Sequence, residues 1–241
     1  MLSPRYKNNS ISNRPEVDGL RAIAVLAIIF YHSEFNVFEG DWFEGGYIGV
    51  DIFFVISGYL ITRIILKELF EVGYFSFLNF YERRARRILP MLFTVFLVSF
   101  PFAWRYLLPV SFVEYSKSII SAVFFGSNFF FYSITTEYGA AAALLKPFLH
   151  TWSLGIEEQF YIFFPIVLVL FHKHFRGNLF LLLRVMLYLS LVFSISMSAF
   201  NVNLNFYLPM SRFWELLIGS ILAYIELKVV KEKNNFSKNT F

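Results

Sequence analysis

The chain has 241 residues, 57% of them hydrophobic, 21% aromatic and 16% charged, with a formal net charge of +4 at pH 7 and a mean hydropathy of +0.58. Soluble domains are about half apolar and about one-quarter charged, so this composition excludes an ordinary soluble domain and identifies a membrane protein. The modest positive charge, without a basic tract interleaved with exposed aromatics, argues against a nucleic-acid partner, and zero cysteines remove disulfides, thiolate catalysis and Cys-ligated metals.

Residues 1–18 are polar and carry no apolar run, so they read as a cytoplasmic tail rather than a cleavable signal, and the first apolar segment stays as an anchor. About seven apolar segments follow, near residues 20–38, 46–66, 88–108, 117–134, 150–171, 179–200 and 211–227. A helix needs roughly 20 apolar residues to cross the hydrocarbon core, so the fold class is all-α, a polytopic transmembrane bundle over residues 19–227. Residues 228–241 form a polar tail. The first connection holds Glu34, Glu39, Asp41 and Glu44, whereas the next holds Arg63, Lys67, Arg83, Arg84, Arg86 and Arg87. By the positive-inside bias the N-terminus and the second connection are cytoplasmic. "HKHFR" (172–176) and "KVVKEK" (228–233) also belong inside, which requires residues 88–134 to cross an odd number of times, one half of them interfacial or re-entrant.

"RAIAVLAIIFYH" sets Arg21 and His32 eleven residues apart, which is about three helical turns and roughly 16 Å along one face. A guanidinium at one depth can hold phosphate, and an imidazole at the other can take and return a proton. The plainer alternative is an interfacial arginine anchor and a histidine beside Glu34. In "GGYIGVDIFFVISGYLIT", Asp51 is an intramembrane carboxylate, costly and therefore functional by default; it would fix the imidazole tautomer if it reached His32. Ser57-Gly58 suits close helix packing. "FYERRARRILP" offers two pairs three residues apart, Arg84 with Arg87 or Arg83 with Arg86, each able to share a helix face and clamp a pyrophosphate. As a bare charge run it would instead be a topology signal attracted to anionic lipid. "HTWSLGIEEQFYIFFP" brings His150, Ser153, Glu157 and Glu158, the two acids pointing about 100° apart, so one pairs with a base in the bundle. "SRFWELLIG" sets Arg212 and Glu215 at i, i+3, an intrahelical pair with a lesser role in substrate contact.

Taken together and in this order, these stretches resemble the membrane-bound acyltransferase family 3, O-antigen acetylase type, over about residues 14–225. The resemblance implies that an acyl group, usually acetyl, passes from cytoplasmic acyl-CoA to a hydroxyl of a cell-surface glycan such as O-antigen lipopolysaccharide or exopolysaccharide, in the bacterial inner membrane. It implies CoA as co-substrate rather than a resident cofactor. It implies phosphate contacts from Arg21 and the arginine cluster and catalysis by His32 as base or acylated intermediate. Asp51, Glu157 and Glu158 would support it, and His150, Ser153, Arg212 and Glu215 would have substrate or structural roles. No metal is implied, since the four histidines lack paired ligand spacing with a carboxylate. The family domain has about ten helices, often followed by a periplasmic SGNH-type domain, so the chain reads as its N-terminal two-thirds. A glycolipid or polysaccharide transporter, or a non-catalytic scaffold with buried ion pairs, would also carry charges in a bundle. A lone intramembrane His beside an arginine clamp favours transfer.

Overall fold

The computed structural model describes residues 14–33, 44–136, 146–175 and 178–238, the side chains of the last eight excepted. Glu34, Glu39, Asp41, Arg176 and most of the N-terminal tail lie outside the described residues. Within them the chain is helical and without strands. Helix α1 (Pro15–His32) opens on a proline and places Glu16 and Asp18 in its first turn, where the helix dipole favours both features. A 3₁₀ turn (Glu44–Tyr47) leads into α2 (Ile48–Val72), which ends at Gly73 in the left-handed conformation (φ 84°) that glycine tolerates.

Helix α3 (Phe77–Tyr106) begins well before the apolar run expected from residue 88, because Ser76 accepts a hydrogen bond from the Asn79 amide and caps it there. The four arginines therefore lie inside a helix. The apolar stretch expected as one segment over 117–134 divides into α4 (Pro109–Val123) and α5 (Ser127–Thr136), separated at Phe125, which takes φ 55°. At 1.5 Å per residue they reach about 22 Å and about 15 Å, short of the roughly 30 Å hydrocarbon core. Helices α6 (Thr151–Phe175), α7 (Leu179–Phe200), the short α8 (Val202–Tyr207) and α9 (Pro209–Lys238) complete the order.

Among the described residues, four helical stretches are long and apolar enough to cross a membrane, Gly45–Val72, Phe77–Tyr106, Thr151–His174 and Leu179–Phe200. The protein is a multi-pass membrane bundle. Helices α3 and α7 turn most of their apolar side chains outward, which suits a solvent of acyl chains. Lipid cannot satisfy a carbonyl freed by proline. Pro165 leaves the Tyr161 carbonyl without its helical donor, and Tyr81 of α3 fills the gap, its hydroxyl donating to Ile162 O at 2.9 Å and reaching Tyr161 O at 3.4 Å.

Three contacts give the bundle two ends. Gly46 and Gly49 lie against α1 at Ala27, Tyr31, Ala24 and Ile28, so α2 starts where α1 finishes. At the opposite end Arg14, Tyr59 and Glu226 join in one hydrogen-bonded cluster. Between the ends α2 and α9 run side by side in the same direction with backbones touching, Gly58 against Leu216 and Gly219 against Val55 and Tyr59. This is the small-residue contact by which membrane helices pack without a hydrophobic drive between them.

A Cβ added at Gly58 or Gly219 would collide with main-chain atoms of the facing helix, and overpacking of this kind costs about 1–3 kcal/mol. Gly58→Ala and Gly219→Ala should each lower the thermal unfolding midpoint in detergent. Gly19→Ala, in α1 with open space around it, should leave the midpoint unchanged or raise it.

Candidate functional site

The site begins with the Glu157-Glu158 pair two turns into α6. The α4–α5 turn fixes the depth of these residues. Ser127 Oγ donates to Thr151 O at 2.7 Å, and Gln159 Nε2 donates to Phe125 O at 2.6 Å and to Asn128 Oδ1 at 2.8 Å. Gly155 lets that turn approach, since a Cβ there would press on Asn128, Phe125 and Ser127.

Glu157 faces the interior. Ser57 Oγ of α2 donates to its Oε1 at 2.9 Å and the Tyr161 hydroxyl to its Oε2 at 3.3 Å. The Arg84 guanidinium lies over the Tyr161 ring at 4.7 Å and the Phe80 ring at 5.8 Å, within electrostatic reach of both Glu157 and Glu158. Arg21 also reaches Glu157 electrostatically, while its nearest acid is Asp18 at 3.9 Å. Arg87 faces Arg84 and Glu158. The structure therefore separates the two arginine pairs left open by spacing. Arg84 is the one of the four that turns inward; Arg83, Arg86 and Arg87 are exposed, Arg86 bound to Glu82 at 2.6 Å and Arg87 within electrostatic reach of Arg84 and Glu158. Ser57 contributes a hydrogen bond to Glu157, and its neighbour Gly58 provides the close packing. That partner lies 100 residues away and has no local signal. Tyr161, at i+4 from Glu157, was within reach of spacing arguments.

A second polar group lies at the end where α1 finishes. His32 Nδ1 is 3.0 Å from Ile28 O. A carbonyl can only accept, so Nδ1 carries the proton and the neutral ring leaves Nε2 as the acceptor. Whether Asp51 reaches His32 was left open by the sequence, and the structure pairs Asp51 with Arg212 instead. Asp51 Oδ1 takes Arg212 Nη2 at 2.5 Å, and Arg212 Nη1 stands 3.0 Å from Glu215 Oε1, the i, i+3 pair anticipated from spacing. A guanidinium outcompetes an imidazole for a carboxylate because it is always charged and offers two donors in one plane. The Phe54, Trp152 and Phe206 rings lie 5.5, 5.8 and 5.8 Å from that guanidinium. His150 joins this end. Its ring remains partly open, yet the protein packed round it and then the neighbouring His32 push its pKa below the ordinary 6.5. Ser153 donates back to the His150 carbonyl at 3.1 Å, a local helix-entry contact.

The fold is a multi-pass helical membrane bundle with a charged interior layer and two histidines at one end. The chain belongs to the acyltransferase family whose model, described as "Acyltransferase domain", matches residues 14–239. It is 35% identical over 228 residues to the O-acetyltransferase OatA of Staphylococcus aureus strain NCTC 8325 / PS 47, covering 93% of this chain and 36% of that protein. It is 43% identical over 155 residues to SACOL0978 of S. aureus strain COL, provisionally named an O-acetyltransferase, covering 64% of this chain and 24% of that protein. The chain thus spans about a third of the length of the OatA relatives. No solved structure matches it.

The lowered pKa of His150 carries a sign. Above about 6.5, the ordinary imidazole value, folded and unfolded chains both hold it neutral and it contributes nothing to the pH dependence. As pH falls through that value the unfolded chain takes the proton first, so stability drops until the folded imidazole is protonated too. From about pH 8 to about pH 5, the range in which imidazoles titrate, the wild-type unfolding midpoint should fall more steeply than that of His150→Gln. Parallel curves would contradict the assignment.

Proposed function

We propose that this chain is the core of a membrane O-acyltransferase that moves an acetyl group from acyl-CoA to a hydroxyl of a surface glycan. The observation that carries the reading is the inward Arg84–Tyr161–Glu157–Ser57 layer, with Arg21 near it and His32 about 16 Å further along the same helix. Arg84 and Arg87 are suited to the phosphates of CoA because a planar guanidinium binds phosphate bidentately. Glu157, held by Ser57 and Tyr161, lies within electrostatic reach of Arg84.

At the far end, Nε2 of His32 accepts the proton of the acceptor hydroxyl as its oxygen attacks the thioester carbonyl. The carbon–oxygen bond forms, the carbon–sulfur bond breaks, and the imidazolium returns the proton to the departing CoA thiolate. The Nδ1–H···O=C bond to Ile28 supports this assignment because it leaves Nε2 unprotonated and holds the ring. An acylated His32 would use the same nitrogen as nucleophile.

Charge and connectivity support a cytoplasmic N-terminus in a bacterial inner membrane. With α1, α2, α3, α6, α7 and α9 crossing and α4–α5 remaining at the His32 side, Arg14, the α3 arginines, "HKHFR" and the end of α9 all fall on one side, as the positive-inside bias requires. Residues 19–227 then form the transferase core, flanked by a polar tail at each end.

Transfer is measured with labelled acetyl-CoA and extracted surface glycan on membranes containing the protein. His32→Ala and His32→Gln should each lower transfer by about 10²–10⁴-fold, the usual worth of a general base, while insertion is retained. Arg84→Lys keeps the charge and loses the fork, so the apparent affinity for acetyl-CoA should fall; Arg83→Lys with Arg86→Lys should leave it unchanged. Equal behaviour of the two lysine variants, or near wild-type transfer by either His32 variant, would refute this reading.

A further inference from the structure

His32 and His150 stand at one end of the bundle on two different helices. Gly46 and Gly49 bring the start of α2 against the last turns of α1, where the Tyr31 ring lies 5.1 Å from the His32 ring and 5.9 Å from the Tyr47 ring. Further along α2, the Phe54 ring lies 6.2 Å from that of Trp152 in the first turn of α6. His150 immediately precedes α6, so the chain returns there to the His32 end, and the two imidazoles are within electrostatic reach of each other.

The backbone around His150 is braced while its imidazole is left open. Phe148 takes φ 63°, a left-handed conformation that costs a bulky residue energy and persists where the surroundings enforce it, as at active sites. Here they do. The Phe148 ring packs 4.9 Å from that of Phe96 and 5.4 Å from that of Tyr115, and its carbonyl accepts from the amide and the hydroxyl of Thr151, each at 2.8 Å. Two residues earlier the buried Lys146 donates to Glu114 Oε2 at 3.4 Å and to Ile134 O at 3.1 Å. Ser127 holds the Thr151 carbonyl on the other side. The His150 ring, by contrast, is exposed, and its edge meets the Phe148 ring at 6.2 Å. A strained corner fixed so that one imidazole stays accessible presents a group able to act on a reactant.

Acyl transfer calls for two protein groups at the carbonyl, a base for the attacking hydroxyl and a donor for the oxygen that becomes negative. His32 meets the first need through Nε2, while Arg212, the guanidinium at this end, is committed to Asp51 and Glu215. A donor beside a base works best uncharged, since a neighbouring cation makes His32 harder to protonate. A neutral imidazole N–H satisfies this, and the lowered pKa of His150 agrees with it. We propose that His150 is a second catalytic residue of the transfer reaction, donating a hydrogen bond from its ring N–H to the thioester carbonyl oxygen as negative charge develops there. The hydroxyl proton passes to His32 Nε2, the new carbon–oxygen bond forms, and the carbonyl π pair moves onto the oxygen held by His150. Collapse of that oxyanion breaks the carbon–sulfur bond, and the His32 imidazolium returns its proton to the thiolate. His150 keeps its own proton throughout. This rests on the acyl-transfer reading and adds to it the group that stabilises the oxyanion.

The test separates a hydrogen-bond donor from a proton carrier, because a Gln side chain presents an N–H but cannot take and return a proton. With labelled acetyl-CoA and extracted surface glycan on membranes containing the protein, His150→Ala and His150→Phe should lower kcat by about 10²–10³-fold, the usual worth of one oxyanion donor. The KM for acetyl-CoA should stay unchanged. His150→Gln should keep at least about a tenth of the wild-type kcat, since it restores the donor, and should keep the rising limb of the pH profile that deprotonation of His32 sets. Binding of acetyl-CoA, measured on each variant, reports an intact bundle. His150→Gln falling as far as His150→Ala, near wild-type kcat in the Ala and Phe variants, or a loss confined to KM would overturn the assignment. Absence of transfer by the wild-type protein would instead overturn the acyl-transfer reading on which it rests, so the two failures are distinguishable.

Discussion

A bilayer offers no partner to a charge or to a main-chain carbonyl, and this bundle is organised around meeting that demand from within. Arg84 illustrates it. Its guanidinium sits between two aromatic rings and two glutamates from α6, and α6 can present those glutamates only because the α4–α5 turn is stapled to its first turns by Ser127, Asn128 and Gln159. The same demand explains Tyr81, which answers the carbonyl left open by Pro165, and Ser57, which answers Glu157. These contacts each tie two helices together, and removing one group leaves its partner stranded in hydrocarbon.

Stability and function meet at the α2–α9 contact. Helices whose backbones touch through Gly58 and Gly219 have little freedom to shift along one another, so Asp51 on α2 and Arg212 on α9 are held in one register. The Arg212 guanidinium is then fixed by Asp51, Glu215 and three aromatic rings. Its placement follows from the packing of small residues some two turns away, which makes the glycines as much a part of the site as the charges.

The bundle separates its ionisable groups along the axis of α1. Guanidinium chemistry lies in the inner layer and imidazole chemistry at the far end, joined by α1, which carries Arg21 and His32 on one face.

The sequence alone determined the membrane class, the order of the apolar segments and the intrahelical Arg212–Glu215 pair. These follow from composition, charge bias and helical spacing, which act between residues close in the chain. It also supplied the family, through motifs spread over most of the length. The tertiary structure decided the rest. Spacing made Arg83 with Arg86 equivalent to Arg84 with Arg87, and only the position of α6 decides that Arg84 turns inward, with Arg87 the exposed partner within its electrostatic reach. Asp51 and His32 were equally reasonable partners until α9 brought Arg212 to the carboxylate and the imidazole bonded to its own helix. The break between α4 and α5 lies in an apolar run with few local markers besides Gly126, because its cause is the docking of that turn against Gly155 and Gln159. Those partners come together only when α6 packs, and no local periodicity encodes a contact between segments more than thirty residues apart.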